Sequence, residues 1–94
     1  GIKFGYSKAQ FNLGICYELG KGVVVDMKKT VELYRQAAHQ GHPLALYNLA
    51  VYNYHGYGIP KNVKEGIELM EMAADSGVIP AHSFLGSYYL QTKS

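Results

Sequence analysis

The sequence predicts an all-α fold, a solenoid of helix-turn-helix repeats, and three observations carry that prediction. Slid 36 residues along itself, the chain superposes Gly5, Ala9, Asn12, Leu13, Gly20, Gly22, Lys28, Glu32, Leu33, Ala37, Ala38 and Gly41 on Gly41, Ala45, Asn48, Leu49, Gly56, Gly58, Lys64, Glu68, Leu69, Ala73, Ala74 and Gly77. A third copy starts at Gly77 and runs through Ala81, Leu85, Gly86 and Tyr89. A fixed period of this size marks repeats that bury their faces only by stacking on one another. Within each copy the apolar residues recur at helical spacing, and glycines separate one helical stretch from the next.

The elements follow in order. The first helix, A1, is expected over about residues 8–19, where Ala9, Leu13, Cys16 and Tyr17 form a stripe and Ser7 supplies an N-cap. Gly20-Lys21-Gly22-Val23 then reads as a turn. Its glycines take backbone angles closed to other residues, and Val23 returns the chain to the core. Asp26 caps B1 (27–40), which carries Val31, Leu33, Tyr34 and the pair Ala37-Ala38; that pair lets a neighbouring helix approach closely. After Gly41 the cycle repeats, with A2 at 44–55 behind Pro43, the turn Gly56-Tyr57-Gly58-Ile59, and B2 at 63–76 capped by Asn62, with Glu65 three residues on. A3 occupies 80–91. The single domain, 1–94, divides into repeat 1 (5–40), repeat 2 (41–76) and a partial repeat 3 (77–94). Gly1 to Phe4 read as the tail of a preceding repeat. The A3 face carrying Leu85 and one or both of Tyr88 and Tyr89 is expected to need cover from a further repeat, another chain or a capping segment.

Composition narrows the function classes. The net charge of +2, with basic residues scattered except at Lys28-Lys29, does not suit a polyanionic partner, and no nucleic acid is expected. No apolar run approaches the roughly 20 residues that span a bilayer, so direct membrane insertion is not expected. The single cysteine, Cys16, excludes an internal disulfide framework and reads as a small buried hydrophobe. His39-x-x-His42 lacks a third ligand at metal-binding spacing, and His55 and His82 stand alone. No nucleophile, paired-carboxylate or phosphate-loop pattern occurs; Gly20-x-Gly22 follows a helix and is a turn. No cofactor, metal or catalytic residue is assigned, and the chain is not expected to be an enzyme.

Ala9-x-x-Asn12-Leu13-Gly14, then Tyr17, Gly20-x-Gly22-Val23, Asp26, and finally Ala37-Ala38-x-x-Gly41-x-x-x-Ala45, repeated 36 residues on, resembles the Sel-like repeat family. This group is related to tetratricopeptide repeats, whose shorter unit of about 34 residues lacks the Gly-x-Gly turn. Copy two departs from the pattern at Ala50, Asn53 and Gly66, each expected to loosen local packing or helix propensity. The resemblance implies a right-handed α-α superhelix with A helices lining a concave groove, and adaptor roles in signalling, membrane-protein degradation and organelle stress responses. The compartment is left open, with an intracellular setting, cytoplasm or an organelle lumen, favoured. A secreted bacterial subgroup carries paired cysteines, which the lone Cys16 does not match.

By that analogy the groove is lined by Lys8, Phe11, Ile15 and Glu18 from A1, by Leu44, Tyr47, Val51, Tyr54 and His55 from A2, and by Ser83, Ser87 and Gln91 from A3. This mixed apolar and aromatic strip suits a peptide or a helix of another protein. Tyr17, Tyr52 and Tyr89 are read as structural, and Tyr47 and Tyr54 as exposed. The matching Asn12 and Asn48 are read as structural in preference to ligand-binding. The expected function is therefore a protein-binding scaffold segment, with self-association through the open end repeats as a second version. The alternative class is RNA binding by a pentatricopeptide-like array, which would need a basic groove.

Overall fold

A computed structural model describes residues 2–93, with side chains over 7–92. The chain forms five helices, α1 (Ile2–Leu19), α2 (Met27–His39), α3 (Pro43–His55), α4 (Val63–Asp75) and α5 (Ile79–Lys93), with no strand among the described residues. The principal contacts join consecutive helices, in a body of 45 × 30 × 17 Å. That is the one-dimensional packing of a solenoid. The core is one continuous cluster running from Phe11 and Tyr34 through Ala45, Leu49 and Tyr52 to Met70, Ala73 and Ala81.

The repeat is visible in the backbone bonds. Lys21 N donates to Cys16 O at 2.9 Å and Tyr57 N to Tyr52 O at 3.0 Å, closing the two Gly-x-Gly turns alike. Gly20, Gly22, Gly56 and Gly58 have φ of 73°, 76°, 81° and 69°. Only glycine takes such angles without strain, so the turn dictates its residue type. The caps match as well, since Lys29 N donates to Asp26 Oδ1 and Glu65 N to Asn62 Oδ1, both at 3.1 Å. At the far end of each B helix, His42 N reaches Ala37 O and Val78 N reaches Ala73 O, both at 3.1 Å. These bonds satisfy carbonyls that the helix terminus would otherwise leave unpaired.

Five expectations are corrected. α1 starts at Ile2, so Ile2–Phe4 continue the A helix and are no separate tail; Gly1 lies outside the described residues, as does Ser94 in partial repeat 3. Ser7 is therefore no N-cap but a buried residue of a helix interior. Copies two and three start after a B helix, through Gly41 and Gly77 at φ of 84° and 93°, whereas Gly5 lies inside α1. The A1 stripe is also only partly covered, because Ala9 and Leu13 are exposed where Ala45 and Leu49 are buried. Val23 does not plug the core either. It is exposed, as are Val24 and Val25, whereas Ile59 packs against the core. The second turn leans on the preceding repeat so closely that a Cβ on Gly58 would stand 2.9 Å from Met27 Cβ, and the first turn has no such neighbour among the described residues.

The fifth correction concerns the departures in copy two. Gly66 does not loosen the packing. A Cβ there would lie 3.0 Å from both Ala50 O and Tyr54 N, backbone atoms that cannot swing aside, so glycine is what allows α3 and α4 to meet. In copy one the small residue sits on the opposite helix, where a Cβ on Gly14 would come within 2.7 Å of the Tyr34 ring. Asn53, where copy one has Tyr17, is buried and donates through its side chain to Leu49 O at 3.1 Å, so its polar group is satisfied.

Candidate functional site

α1 and α3, the first two A helices, are not principal neighbours, and a cleft of about 490 Å³ opens between them near the Gly-x-Gly turns. It is lined by Glu18 at the end of α1, Met27 at the start of α2, Tyr47, Asn48, Val51 and Tyr52 of α3, and Tyr57 of the second turn. α2 positions this lining from behind. Tyr34 is fully buried, and its hydroxyl donates to Glu18 Oε1 at 2.5 Å, fixing the carboxylate beside the cleft. The Tyr52 hydroxyl also lies against Glu18. Burial, reinforced by the Glu18 charge, pushes both phenols well above the ordinary tyrosine value, so each stays a neutral donor. Asn48 acts on the Tyr34 hydroxyl in the opposite direction by hydrogen bonding.

Rings hand on from one repeat to the next. Phe11 stacks on His42 with centroids 4.8 Å apart and tilts against Tyr34 at 5.5 Å; Tyr34 meets Tyr52 edge-on at 5.6 Å, and Tyr52 meets Tyr57 at 5.7 Å. Tyr57 stacks on His55, His55 touches Tyr54, and Tyr54 packs against Phe84 and Tyr88 of α5. Such offset and edge-on pairs add to the hydrophobic burial. The ladder therefore ties three successive A helices together.

Of the residues expected to line the groove, the structure gathers Glu18, Tyr47 and Val51 in the cleft. Phe11 is corrected: it is buried between Tyr34 and His42, because α1 turns it inward onto α2. Ile15 is half-buried against the core, and Tyr54 is half-buried among the rings of α5. Lys8, Leu44, His55, Ser83, Ser87 and Gln91 are exposed and do not reach the cleft. Met27, Asn48, Tyr52 and Tyr57 were not among the expected lining residues. The available signal was a break in the repeat, since Tyr57 stands where copy one has Lys21.

The other tyrosines divide similarly. Tyr52 is buried, Tyr17 is half-buried, and Tyr89 is exposed with its hydroxyl donating to Glu71 at 2.5 Å, a bond that raises its pKa. Leu85 is half-buried against the core, while Ile79 and Leu90 are exposed. Cys16 is half-buried. His42 caps α3, its Nδ1 accepting from Ala45 N at 3.3 Å, and burial lowers its pKa. Among the described residues no three His, Cys, Asp or Glu side chains are placed to share a metal ion, and no helix is long and apolar enough to cross a membrane.

Stacked helix pairs joined by glycine turns, with an aromatic-walled cleft between A helices, define a helical-repeat scaffold. The chain belongs to the Sel1 repeat family, whose repeat matches residues 7–42 and 43–78. Members of the family generally serve as scaffolds for protein–protein interaction. A Sel1 repeat protein from Oxalobacter formigenes is 34% identical, with a TM-score of 0.85 over 86% of this chain and 61% of its own. A protective antigen of uropathogenic Escherichia coli with an SLR fold is 32% identical, with a TM-score of 0.89 over 94% of this chain and 19% of its own. Cysteine rich protein B of Helicobacter pylori is 28% identical, with a TM-score of 0.79 over 83% of this chain and 59% of its own; this chain has one cysteine. The chain thus spans less than two thirds of each of these structures. No curated protein sequence matches it significantly.

Proposed function

We propose that this chain is a protein-binding segment that takes a peptide or a short element of another protein on its A-helix face, at the cleft between α1 and α3. The observation that carries the reading is the cleft itself, a concave site of about 490 Å³ walled by Tyr47, Tyr52, Tyr57, Met27 and Val51, with Glu18 and Asn48 as its other polar side chains. Sites of that build favour ligand capture, because rigid rings supply contact area at small entropic cost. Its test is site-specific cross-linking. A photo-reactive phenylalanine analogue at Tyr47 should cross-link the partner, and the same group at exposed Glu68 should not. Equal labelling at both positions, or at Glu68 alone, would reject the cleft as the docking face.

The exposed apolar residues Val24, Ile79 and Leu90, 87%, 75% and 76% accessible, favour a second reading in which repeats stack end to end. Sedimentation of the wild type beside Leu90→Glu tests it: a concentration-dependent mass in the first that vanishes in the second supports stacking, and a constant monomer in both removes it.

A further inference from the structure

The two repeats should present equivalent surfaces, and at one position they do not. Glu18 of α1 corresponds to Tyr54 of α3. Between α3 and α5 the Tyr54 ring is packed against Phe84 and Tyr88, an apolar arrangement of the kind that stacking requires. Between α1 and α3 the same position holds a half-buried carboxylate beside a cleft. Placing a charge there costs solvation that an aromatic residue would not forfeit. Repeat two carries neither partner of this pair, since Met70 stands where repeat one has Tyr34 and Tyr54 where it has Glu18.

The carboxylate is built in with care. The fully buried Tyr34 holds it through a hydroxyl donated at 2.5 Å, and the Tyr52 hydroxyl lies against it. A carboxylate offers about four acceptor sites, and the bond from the Tyr34 hydroxyl fills one of them. The lining supplies no cation to complete it. Three tyrosines, Tyr47, Tyr52 and Tyr57, line the same cleft. Aromatic faces beside a carboxylate are the surroundings that a delocalised cation prefers, since a guanidinium can pair with the oxygens and stack on a ring together.

We propose that the cleft is a socket for a basic side chain, arginine in preference to lysine, presented by the partner's segment. This rests on the reading of the cleft as the protein-docking site and gives that partner a chemistry. An acidic side chain would meet Glu18 as a like charge. An apolar one would cover the carboxylate without neutralising it, which is costly for a buried charge. Arginine satisfies both the acid and the rings.

The experiment is an NMR titration of the labelled protein with short blocked alanine peptides that carry one central residue: arginine, lysine, citrulline, leucine or glutamate. One side chain is expected to bind at about millimolar Kd. The arginine peptide should shift the amide signals of Glu18, Asn48 and Tyr57, lysine less so, and citrulline, its neutral isostere, at least about tenfold more weakly. The preference should weaken with added salt. Glu18→Gln keeps the side-chain shape and an oxygen to accept from Tyr34, and should erase the difference between arginine and citrulline. Tyr57→Leu, at a half-exposed turn position, should lower arginine affinity with the carboxylate in place. Equal binding of citrulline or leucine would overturn the charge proposal while leaving the cleft a docking site. Absence of any shift at the cleft would overturn the proposal outright, and cross-linking at position 47 would then decide separately whether the cleft docks protein.

Discussion

Leu13 and Leu49 are the same residue at the same point of two copies of one repeat, yet the first is 45% exposed and the second 3%. Ala9 and Ala45 differ in the same sense. What separates them is a neighbour. α3 lies against α2, the B helix of the repeat before it, whereas among the described residues α1 has no such helix ahead of it. In a solenoid burial belongs to the interface between units as much as to the residue, and a repeat can be read correctly and still be placed wrongly between core and surface. The small residues teach the complementary lesson. Gly14 admits the Tyr34 ring in repeat one, and Gly66 admits the α3 backbone in repeat two, so close packing is reached from opposite helices.

The largest way to break this comparison is to remove the core anchor of each repeat. Tyr34→Ala empties a fully buried aromatic site and frees Glu18, and urea unfolding should record a loss of about 3–5 kcal/mol. Met70→Ala, the equivalent position in repeat two, leaves no carboxylate unpartnered and should cost less, within the 2–5 kcal/mol expected for a buried aliphatic truncation, so about 2–3. Equal losses would mean that the Glu18 bond adds nothing to stability.

Next comes the swapped glycine. Gly66→Ala should destabilise by about 1–3 kcal/mol through overpacking, reduced by the roughly 1 kcal/mol by which Ala favours a helix. Gly14→Ala should behave alike, because the ring it meets is held by Glu18 and cannot turn away. An increase in melting temperature for either variant would contradict the close approach of that helix pair.

The caps sharpen the comparison by predicting no difference. Asp26→Ala and Asn62→Ala each remove a 3.1 Å bond to the third backbone N–H of the B helix and should each cost about 1 kcal/mol by thermal unfolding. A clear inequality would show that the matching geometry conceals unequal energetics.

The smallest effect distinguishes the two junctions. His42 caps α3 through a neutral Nδ1, and desolvation holds its pKa below the ordinary 6.5. A group whose folded pKa is depressed contributes stability that is fully present above 6.5 and is lost as the pH falls through the lower folded value. Protonation removes the acceptor, so unfolding followed between neutral and mildly acidic pH should reveal a loss of about 1 kcal/mol at most. The corresponding Val78 has nothing to titrate, and His42→Asn, which caps at any pH, should flatten this part of the profile.

The sequence was legible wherever the constraint was local. Gly20, Gly22, Gly56 and Gly58 announced the turns because φ near +70° admits little else, and Asp26 and Asn62 announced the B helices because a carboxylate or amide at that point satisfies free N–H groups. Contacts between units were less legible. The helical period alone does not decide which way Phe11 turns, and it fell to the core in contact with Tyr34 and His42. The cleft was half visible. Glu18, Tyr47 and Val51 follow from the A-helix face, but Tyr57 enters from a turn and Met27 from the start of a B helix, and only the stacking of one repeat on the next brings them to the same place.

The aromatic ladder gives the molecule its own optical readout. The chain has nine tyrosines and no tryptophan, so its near-ultraviolet circular dichroism arises chiefly from phenol rings. Those of Tyr34, Tyr52 and Tyr57 stand with centroids 5.6 and 5.7 Å apart, close enough for their transitions to couple. Their relative orientation survives only while α2, α3 and the turn at Gly56 stay docked. Loss of that band with the helical signal intact would mark the undocking of one repeat from the next before either unfolds.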